Sequence, residues 1–406
     1  MIKIRRSVTY VKNNYFYFLL TLIVIGLSIL RQPMFFIAPR IWAEEASVYI
    51  ASILSNGLLH SLIAPHLGYY SLFPNFVIAF GLILFGFNGV AYITTLFSFL
   101  IVLMTVFSPL ILRSKYWDTK LKIFSIVIFA LILGPNEIWL NTITSQFYFC
   151  LFSCLLLLSD ISSIRGWRLY YVIFMLIIGV LNGITTIVLF PFYLLNFIKD
   201  RKNKLNYTLL IILFFGACVQ FYSLIYFINH PDINRFDISN INHFPSAFWR
   251  TLTSIINQGQ LSGRIYIFLA TFLVLYSVRS SIKKYLKPIM IAFYLSILFA
   301  FLSIDMNGGS RYGYPVAVLV CIFIINALSI NNKIIKLFLQ FLIALIFLVN
   351  LQSFFKIKNA YNASWTRFST KDIVINSDGK KYMRAFPQPV GNWTVYVTDS
   401  DLERYK

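Results

Sequence analysis

Acidic residues are scarce in this sequence. Only 14 of its 406 residues are Asp or Glu, against 35 Lys and Arg, and charged residues of both signs make up 12% of the chain. Hydrophobic residues account for 59%, and the mean hydropathy is +0.75. Ordinary soluble domains carry about 25% charged residues. The composition excludes a soluble globular protein of this length and predicts a polytopic membrane protein.

Several common site motifs are also missing. The sequence has no Gly-rich phosphate loop and no Gly-x-Ser-x-Gly nucleophile turn, which argues against a nucleotide bound on the cytoplasmic side. It has no internal repeat, which counts against a transporter built from repeated halves. None of its four cysteines has the spacing of a zinc knuckle or a disulfide framework, and all four lie in apolar runs: Cys150, Cys154, Cys218 and Cys321.

The formal net charge of +21 comes from short basic clusters between apolar runs. This pattern is typical of the positive-inside rule and not of a nucleic-acid surface. If the N-terminus is cytoplasmic, 20 of the 35 Lys and Arg fall in six short cytoplasmic segments. The first apolar run is followed by Arg31-Gln32-Pro33 instead of a small-residue cleavage site, so it should remain as an anchor. We predict a multi-pass membrane protein with a cytoplasmic N-terminus and a C-terminus on the outer side.

The fold class predicted from these runs is an all-α polytopic membrane protein with about eleven transmembrane helices in a domain spanning residues 1–355. The predicted crossings lie near 15–33, 90–112, 121–135, 145–159, 169–182, 184–198, 207–228, 264–279, 288–304, 313–330 and 335–354. The first periplasmic loop, 34–89, should carry a juxtamembrane helix at 71–87, because that segment is short and contains Pro74. Alternating stretches at 371–376 and 393–398 predict strands in a periplasmic tail domain, 356–406.

Two adjacent acids, Glu44 and Glu45, follow the first apolar run and fall on the outer face in this topology. Glu137 and Asp305 also lie near outer helix ends. Ionisable groups at a membrane boundary are costly without water or a partner, so these four acids are candidates for function. The alternative is that they are solvated or pair with arginines in the same loops, Arg40 and Arg311.

A second informative stretch runs from Asp305 to Pro315 and contains Arg311 and Tyr312. An arginine facing a cleft at a membrane boundary suits a lipid phosphate, because its planar fork matches phosphate oxygens. Arg311 could equally snorkel or pair with Asp305. The four histidines, all in outer loops, show no metal-ligand spacing, and interfacial or hydrogen-bonding roles are favoured for them: His60, His66, His230 and His243.

In these stretches the sequence resembles the bacterial integral-membrane glycosyltransferases of the GT-C class, and in particular the serotype-converting O-antigen glucosyltransferases. The segment 40–46 is similar to the Trp-Ala-Glu-Asp-Gly signature of their first outer loop, and 137–148 to their Glu-x-x-x-Asn-x-x-Asn-x-Gln-Trp pattern. Later landmarks are Asn182-Gly183, Arg311-Tyr312 and Phe386 to Trp393. The sequence departs from the pattern in having Glu45 for Asp, Ala46 for Gly and Thr144 for Asn.

The resemblance implies a GT-C-like fold in the bacterial inner membrane, with the outer loops and the C-terminus in the periplasm. It implies transfer of a sugar, expected to be glucose, from an undecaprenyl-phosphate carrier to O-antigen of lipopolysaccharide or a related polysaccharide on the periplasmic side. It points to Glu44 and Glu45 as the catalytic residues; our hypothesis makes Glu44 the base and has Glu45 orient the acceptor or hold a metal, and the sequence leaves open which of the two is the base. The expected substrate-binding residues are Arg311, Tyr312, Glu137, Asn141, Gln146, Arg40, His66 and Tyr69. Besides donor, acceptor and membrane lipids, it implies a companion flippase and a donor synthase as partners. No cofactor or metal site is firmly implied, although Glu45 leaves a divalent cation open.

Two other classes remain as alternatives. A transporter or flippase of a lipid-linked sugar would place charges midway along its helices, whereas nearly all acids here map to loop ends. An acyltransferase would require a histidine-based or serine-based site, and none of the four histidines belongs to a recognisable nucleophile motif.

Overall fold

The computed structural model describes residues 2–66, 68–229, 238–254, 282–303, 310–328, 332–355, 368–376, 379–386 and 393–405. Four predicted features lie outside these residues: the helix at 264–279, Asp305, His230 and the tail landmark residues 387–392.

The described chain is mostly helical. The longer helices are α1 (Ile2–Arg31), α5 (Leu72–Val106), α7 (Lys120–Ile132), α8 (Gln146–Leu158), α9 (Trp167–Val180), α10 (Phe190–Lys199), α11 (Lys204–Asn229), α12 (Phe244–Leu252), α13 (Ile282–Leu302), α14 (Ser310–Ala327) and α15 (Lys333–Phe355). The shorter ones are α2 (Met34–Ile37), α3 (Ala51–Asn56), α4 (Leu58–Ile63), α6 (Ser108–Ile111) and α16 (Asp399–Arg404).

Three of these helices are long and apolar enough to cross a membrane: Leu72–Val106, Lys204–Tyr226 and Lys333–Phe355. The chain is therefore a helical protein associated with a membrane. The prediction of eleven crossings does not hold for the described part of the chain. Other predicted crossings are apolar helices of 10–17 residues, such as Trp167–Val180. These fall short of the roughly 20 residues that a straight crossing needs.

Two short helices, α8 and α14, form the centre of the bundle. All thirteen residues of α8 are buried, and from Tyr312 to Ala327 every side chain of α14 is buried as well. A helix that is apolar on all sides is stable only when other helices surround it. The two helices meet through aromatic edges: the rings of Tyr148 and Tyr314 lie 5.1 Å apart, and those of Phe147 and Tyr312 lie 5.2 Å apart.

Helix α5 is broken at Gly86, whose φ of 60° and ψ of −166° are not helical. This backbone conformation is essentially restricted to glycine. The break falls where the predicted juxtamembrane segment 71–87 ends and just before the predicted crossing at 90–112 begins. The two parts of α5 therefore run in different directions, as two helices separated by a loop would.

The tail forms a three-stranded antiparallel sheet in the order β1 (Ile373–Ile375), β2 (Lys381–Arg384), β3 (Thr394–Val397). The alternating stretches predicted β1 and β3, whereas β2 was not predicted. One face of the sheet packs into a second hydrophobic core, which it shares with the first loop and the kink of α5. The buried residues of that face are Met383, Val395 and Val397.

Candidate functional site

The candidate site lies at the end of the bundle that carries Arg31, Glu44, Glu137 and Arg311, here called the site end. The opposite end, which carries Lys122, Lys287 and Lys336, is called the basic end.

The segment before the paired acids is held by the tail. The Ala43 amide donates to the Phe386 carbonyl at 2.7 Å, and the Phe386 amide donates to the Ile41 carbonyl at 2.9 Å. These two bonds make Trp42 and Phe386 a parallel bridge between the first loop and the end of the tail sheet. The backbone that leads into Glu44 is therefore fixed by strand-like pairing.

Arg40 lies inside this junction and is only 3% exposed. Three aromatic rings surround its guanidinium carbon at 4.5 to 4.6 Å from their centres, those of Phe35, Trp42 and Phe386. Contacts of this kind stabilise a cation that has been removed from water. The structure thus places Arg40 in the junction between loop and tail, buried among aromatic rings.

Glu45 is 1% exposed, and both of its carboxylate oxygens accept hydrogen bonds. One oxygen accepts from the Trp42 amide at 2.8 Å, and the other accepts from the Thr142 amide at 2.7 Å and the Thr142 hydroxyl at 2.6 Å. Burial raises the pKa of Glu45 above its ordinary value, while these hydrogen bonds and the charge of Arg40 act in the opposite direction. Glu45 therefore ties the first loop to the second.

Glu44 precedes the π-helical turn Glu45–Ile50 and is partly exposed. Its carboxylate makes no hydrogen bond or ion pair with any residue that the structure describes, but its charge acts on the Arg311 guanidinium. The two neighbouring acids therefore differ in surroundings. The oxygens of Glu45 are occupied, and those of Glu44 are available to a bound molecule.

Arg31, the last residue of α1, holds the start of the second loop, 134–145, in place. One guanidinium nitrogen of Arg31 donates to the Gly134 carbonyl at 2.7 Å and to the Asn136 side-chain oxygen at 2.9 Å. The guanidinium carbon also lies 4.1 Å from the centre of the Trp139 ring. Arg31 thereby fixes the start of the loop, directly before Glu137.

Asn141 closes the same loop. Its side-chain amide donates to the Glu137 carbonyl at 2.7 Å, and its oxygen accepts from the Thr144 amide at 2.9 Å and the Thr144 hydroxyl at 2.7 Å. The preceding residue, Leu140, has a positive φ of 51°, which is uncommon for a residue with a bulky side chain. The hydrogen bonds of Asn141 hold this strained turn in place, so the asparagine shapes the loop that carries Glu137.

Arg311 and Glu137 form an ion pair at 2.7 Å, with side chains 24% and 31% exposed. Glu44 and the Tyr69 phenol also interact electrostatically with the Arg311 guanidinium. Tyr312 packs its ring edge-on against Phe147, 5.2 Å between centres, and so anchors the first turn of α14. The partly exposed cation therefore has two acids and a phenol around it, which come from the first and second loops.

Tyr69 connects this group to the turn between α9 and α10. The Gln146 amide lies at the limit of hydrogen bonding, 3.5 Å from the Tyr69 hydroxyl. Gly183 has a φ of 82°, and a Cβ at this position would collide with the Gln146 side-chain oxygen. The Gly183 amide donates to the Tyr70 carbonyl at 3.0 Å. The landmark glycine therefore allows the close approach that positions Gln146 and Tyr69.

His66 lies one turn away from Tyr69, with which it exchanges two backbone hydrogen bonds. Its ring packs edge-on against Tyr49 at 4.9 Å, and burial lowers its pKa to about 4. The His66 Nε2 atom is buried without a hydrogen-bond partner in the described chain. His66 is therefore a neutral imidazole at neutral pH, set in the wall of the first loop.

The structure thus brings together Glu44, Glu137, Tyr69 and Arg311, with Gln146, Asn141 and Tyr312 supporting them. It separates Arg40 and Glu45 from this group by burial. Two residues that sequence reasoning missed are Arg31 and Thr142, which position the second loop. Arg31 had a signal, since an arginine directly after an apolar run is costly without a partner. No group of three His, Cys, Asp or Glu side chains suited to a metal ion occurs in the parts of the chain that the structure describes.

Comparison of the chain with protein-family models, curated proteins and solved structures finds no match. The geometry of the site is therefore the basis on which a function can be assigned.

Proposed function

We propose that the protein is a membrane glycosyltransferase that moves a sugar, glucose in the first instance, from an undecaprenyl-phosphate carrier to O-antigen or a related polysaccharide. The proposal rests on the resemblance in the loop motifs and on one structural observation. Glu44, a carboxylate with no partner among the described residues, lies within electrostatic range of Arg311, a partly exposed cation.

The two groups suit the two charge changes of such a reaction. The acceptor hydroxyl oxygen attacks the anomeric carbon of the donor sugar, and the bond between that carbon and the carrier phosphate oxygen breaks. The hydroxyl proton passes to the Glu44 carboxylate, and the bonding electrons leave with the phosphate. Arg311 offers a planar set of donors to that phosphate, which would displace the Glu137 carboxylate as its partner. Glu137 is then free to bind a sugar hydroxyl.

The remaining predicted residues fit supporting roles in this proposal. Glu45 positions Glu44, because its hydrogen bonds to Trp42 and Thr142 fix the backbone on both sides of the site. Tyr69 and Gln146 are close enough to the Arg311 cluster to contact the sugar. Arg40 and His66 act as structural residues of the first loop. The proposal also places the site end on the periplasmic side of the bacterial inner membrane, as the distribution of Lys and Arg indicates.

The substitution Glu44→Gln tests the assignment of the base. It keeps the shape of the side chain and removes its ability to accept a proton. We expect transfer in isolated membranes, supplied with undecaprenyl-phosphate-glucose and polysaccharide acceptor, to fall by about 10²- to 10⁴-fold. Glu403→Gln is the matched control, because Glu403 is exposed in α16 and outside the site, and it should leave transfer unchanged.

The same assay separates the proposal from a transporter. Transfer at the wild-type rate by Glu44→Gln, with equal amounts of protein in the membrane, would refute the role of Glu44. Movement of the lipid-linked sugar across vesicles of the purified wild-type protein, with no sugar reaching the acceptor, would replace the glycosyltransferase by a flippase. Linkage analysis of the surface polysaccharide with and without the gene then identifies the sugar and its acceptor.

A further inference from the structure

A groove lies at the basic end between helices α7, α14 and α15, on the opposite side of the bundle from the proposed active site. Its cavity volume is about 520 Å³. Its walls are largely apolar and include Phe124, Ile128, Ile325, Ile343 and Ala344. Polar side chains are concentrated near one end, where Thr119, Lys122 and Lys336 line it. An anionic lipid has apolar acyl chains and a negatively charged headgroup. It therefore complements an apolar groove that carries two lysine side chains at one end.

The length of the groove matches one leaflet of a bilayer. Along α15 it runs from Lys336 to Phe347, which corresponds to about 16 Å at 1.5 Å per helical residue. The hydrocarbon core of a bilayer is about 30 Å thick, so the groove covers roughly half of it. Helix α15 is also one of the three candidate membrane spans, and only 22% of its apolar window is buried inside the protein. The groove is therefore open to the lipid phase.

The cations at the mouth are only partly neutralised. The Lys122 ammonium pairs with Asp118 at 2.9 Å, which uses one of its three donors. Lys336 is exposed and makes no ion pair with the residues that the structure describes. The mouth therefore carries more positive than negative charge within reach of a headgroup. A headgroup with no net charge would therefore bind there less favourably than an anionic headgroup.

We propose that this groove binds an anionic phospholipid, with one acyl chain between α7, α14 and α15 and the headgroup phosphate at Lys122 and Lys336. A soluble anion would not use the apolar length of the groove, and an apolar molecule would not use the lysines. The inference does not depend on the proposed glycosyltransferase activity, because the groove and the Glu44 cluster lie at opposite ends of the same helices.

Native mass spectrometry of the full-length protein in mild detergent tests this site. Phosphatidylglycerol and phosphatidylcholine with identical acyl chains are the probes. We expect wild-type protein to retain phosphatidylglycerol preferentially. The double variant Lys122→Gln/Lys336→Gln should weaken that binding by roughly tenfold or more, because each surface lysine contributes about 1 kcal/mol to anionic lipid binding. Ala344→Phe, which fills the groove at an exposed position, should weaken the binding of both lipids.

Lys204→Gln is the control for a general loss of charge, because Lys204 is exposed at the start of α11 and does not line the groove. It should retain phosphatidylglycerol as the wild type does. Equal retention of phosphatidylglycerol by wild type and double variant, or an equal loss in Lys204→Gln, would overturn the proposal. Displacement of the lipid by glycerol phosphate alone would also overturn it, since only a headgroup site would then exist. Size-exclusion profiles confirm that each variant is folded.

Discussion

The side chains of Glu44 and Glu45 are neighbours in sequence and occupy opposite environments. Glu45 is buried and accepts three hydrogen bonds from two residues, one of them Thr142 in the second loop. Glu44 is partly exposed and oriented by the backbone that Glu45 fixes. Because Glu45 joins the two loops, we expect it to contribute to stability. Because Glu44 is accessible, we expect it to act on a bound molecule. The two substitutions to glutamine should therefore give different phenotypes.

Glu45→Gln is expected to destabilise the protein. An amide has one acceptor oxygen, so its NH₂ group must face either the Trp42 or the Thr142 amide, and one buried donor loses its partner. Such a loss costs about 1 to 3 kcal/mol, which a lower Tm in detergent or nanodiscs would record. Glu403→Gln should leave the Tm unchanged. If Glu45→Gln unfolds at the wild-type temperature, its hydrogen bonds do not hold the loops together.

His66 should make stability depend on pH. Its pKa is lowered to about 4 from an ordinary value of 6.5, because burial disfavours the charged imidazole. The unfolded chain therefore binds the proton more tightly, so this contribution to stability is complete above pH 6.5 and is lost as the pH falls toward 4. Tm measured between pH 7 and 5 should fall less steeply in His66→Gln than in wild type.

Asn56→Gln serves as the comparison for this titration, because Asn56 is an exposed residue of the same loop whose side chain does not titrate. Its pH profile should follow that of the wild type. Identical slopes for wild type and His66→Gln would show that the His66 ring takes up its proton in the folded protein without cost.

The sequence predicted which residues lie at the site better than it predicted the burial and hydrogen bonds of each one. The loop motifs and the charge pattern placed Glu44, Glu137 and Arg311 on one face, and the structure brings them together. The distinction between Glu44 and Glu45 was not predictable, because Thr142, which buries Glu45, lies 97 residues away in the chain. Burial is a property of the packed loops, and adjacent identical residues carry no local signal for it.

At the scale of elements, the break in α5 at Gly86 connects the membrane bundle to the tail. The Phe87 amide donates to the Tyr405 carbonyl at 2.9 Å. The Asn88 side-chain oxygen accepts from the Ser369 hydroxyl at 3.1 Å and from the Thr370 amide at 3.1 Å. The Phe87 amide and the Asn88 side chain, which follow the kink, are thus bound by the tail, so kink and tail should be stable only together.

Gly86→Ala is expected to lower the Tm, because a side chain at this φ and ψ costs about 1 to 3 kcal/mol. It should also increase proteolysis of the tail, whose contacts depend on the kink. Gly26→Ala is the matched control: Gly26 lies within α1 and a Cβ there meets nothing within 4 Å. That substitution should leave the Tm unchanged or raise it. Equal Tm values for the two variants would contradict the strain argument.

The sequence predicted the long apolar helices well. It misassigned short helices such as α8, which lies at the centre of the bundle, as membrane crossings. The apolar runs of α11 and α15 were predicted within a few residues. The predicted crossings at 145–159 and 169–182 were recognised as apolar, but α8 and α9 span only 13 and 14 residues. An apolar run has the same composition whether lipid or protein surrounds it. Strand β2 was missed because its four residues begin and end with a cation. Met383, its one buried residue, gives too little alternation of apolar and polar residues to indicate a strand.

For the whole molecule, the proposed orientation can be tested by cysteine labelling. In a Cys218→Ala background, which removes the exposed cysteine, Asn56→Cys places a thiol in the first loop and Lys202→Cys places one at the basic end. A membrane-impermeant maleimide should label Asn56→Cys in cells with a permeabilised outer membrane. It should label Lys202→Cys only after the inner membrane is opened. The reverse pattern would place Glu44 in the cytoplasm, where the proposed periplasmic transfer could not occur.

The pairing of Trp42 with Phe386 also has a consequence for biosynthesis. The segment that carries Glu44 is made early, but its backbone partner is synthesised more than 300 residues later. Every helix in between must have been inserted before the two strands can meet on the same side of the membrane. The loop that carries Glu44 would therefore be assembled last, and a truncated or stalled chain would enter the membrane without the proposed site. Only a chain completed as far as the tail sheet would then hold the backbone of Glu44 in place.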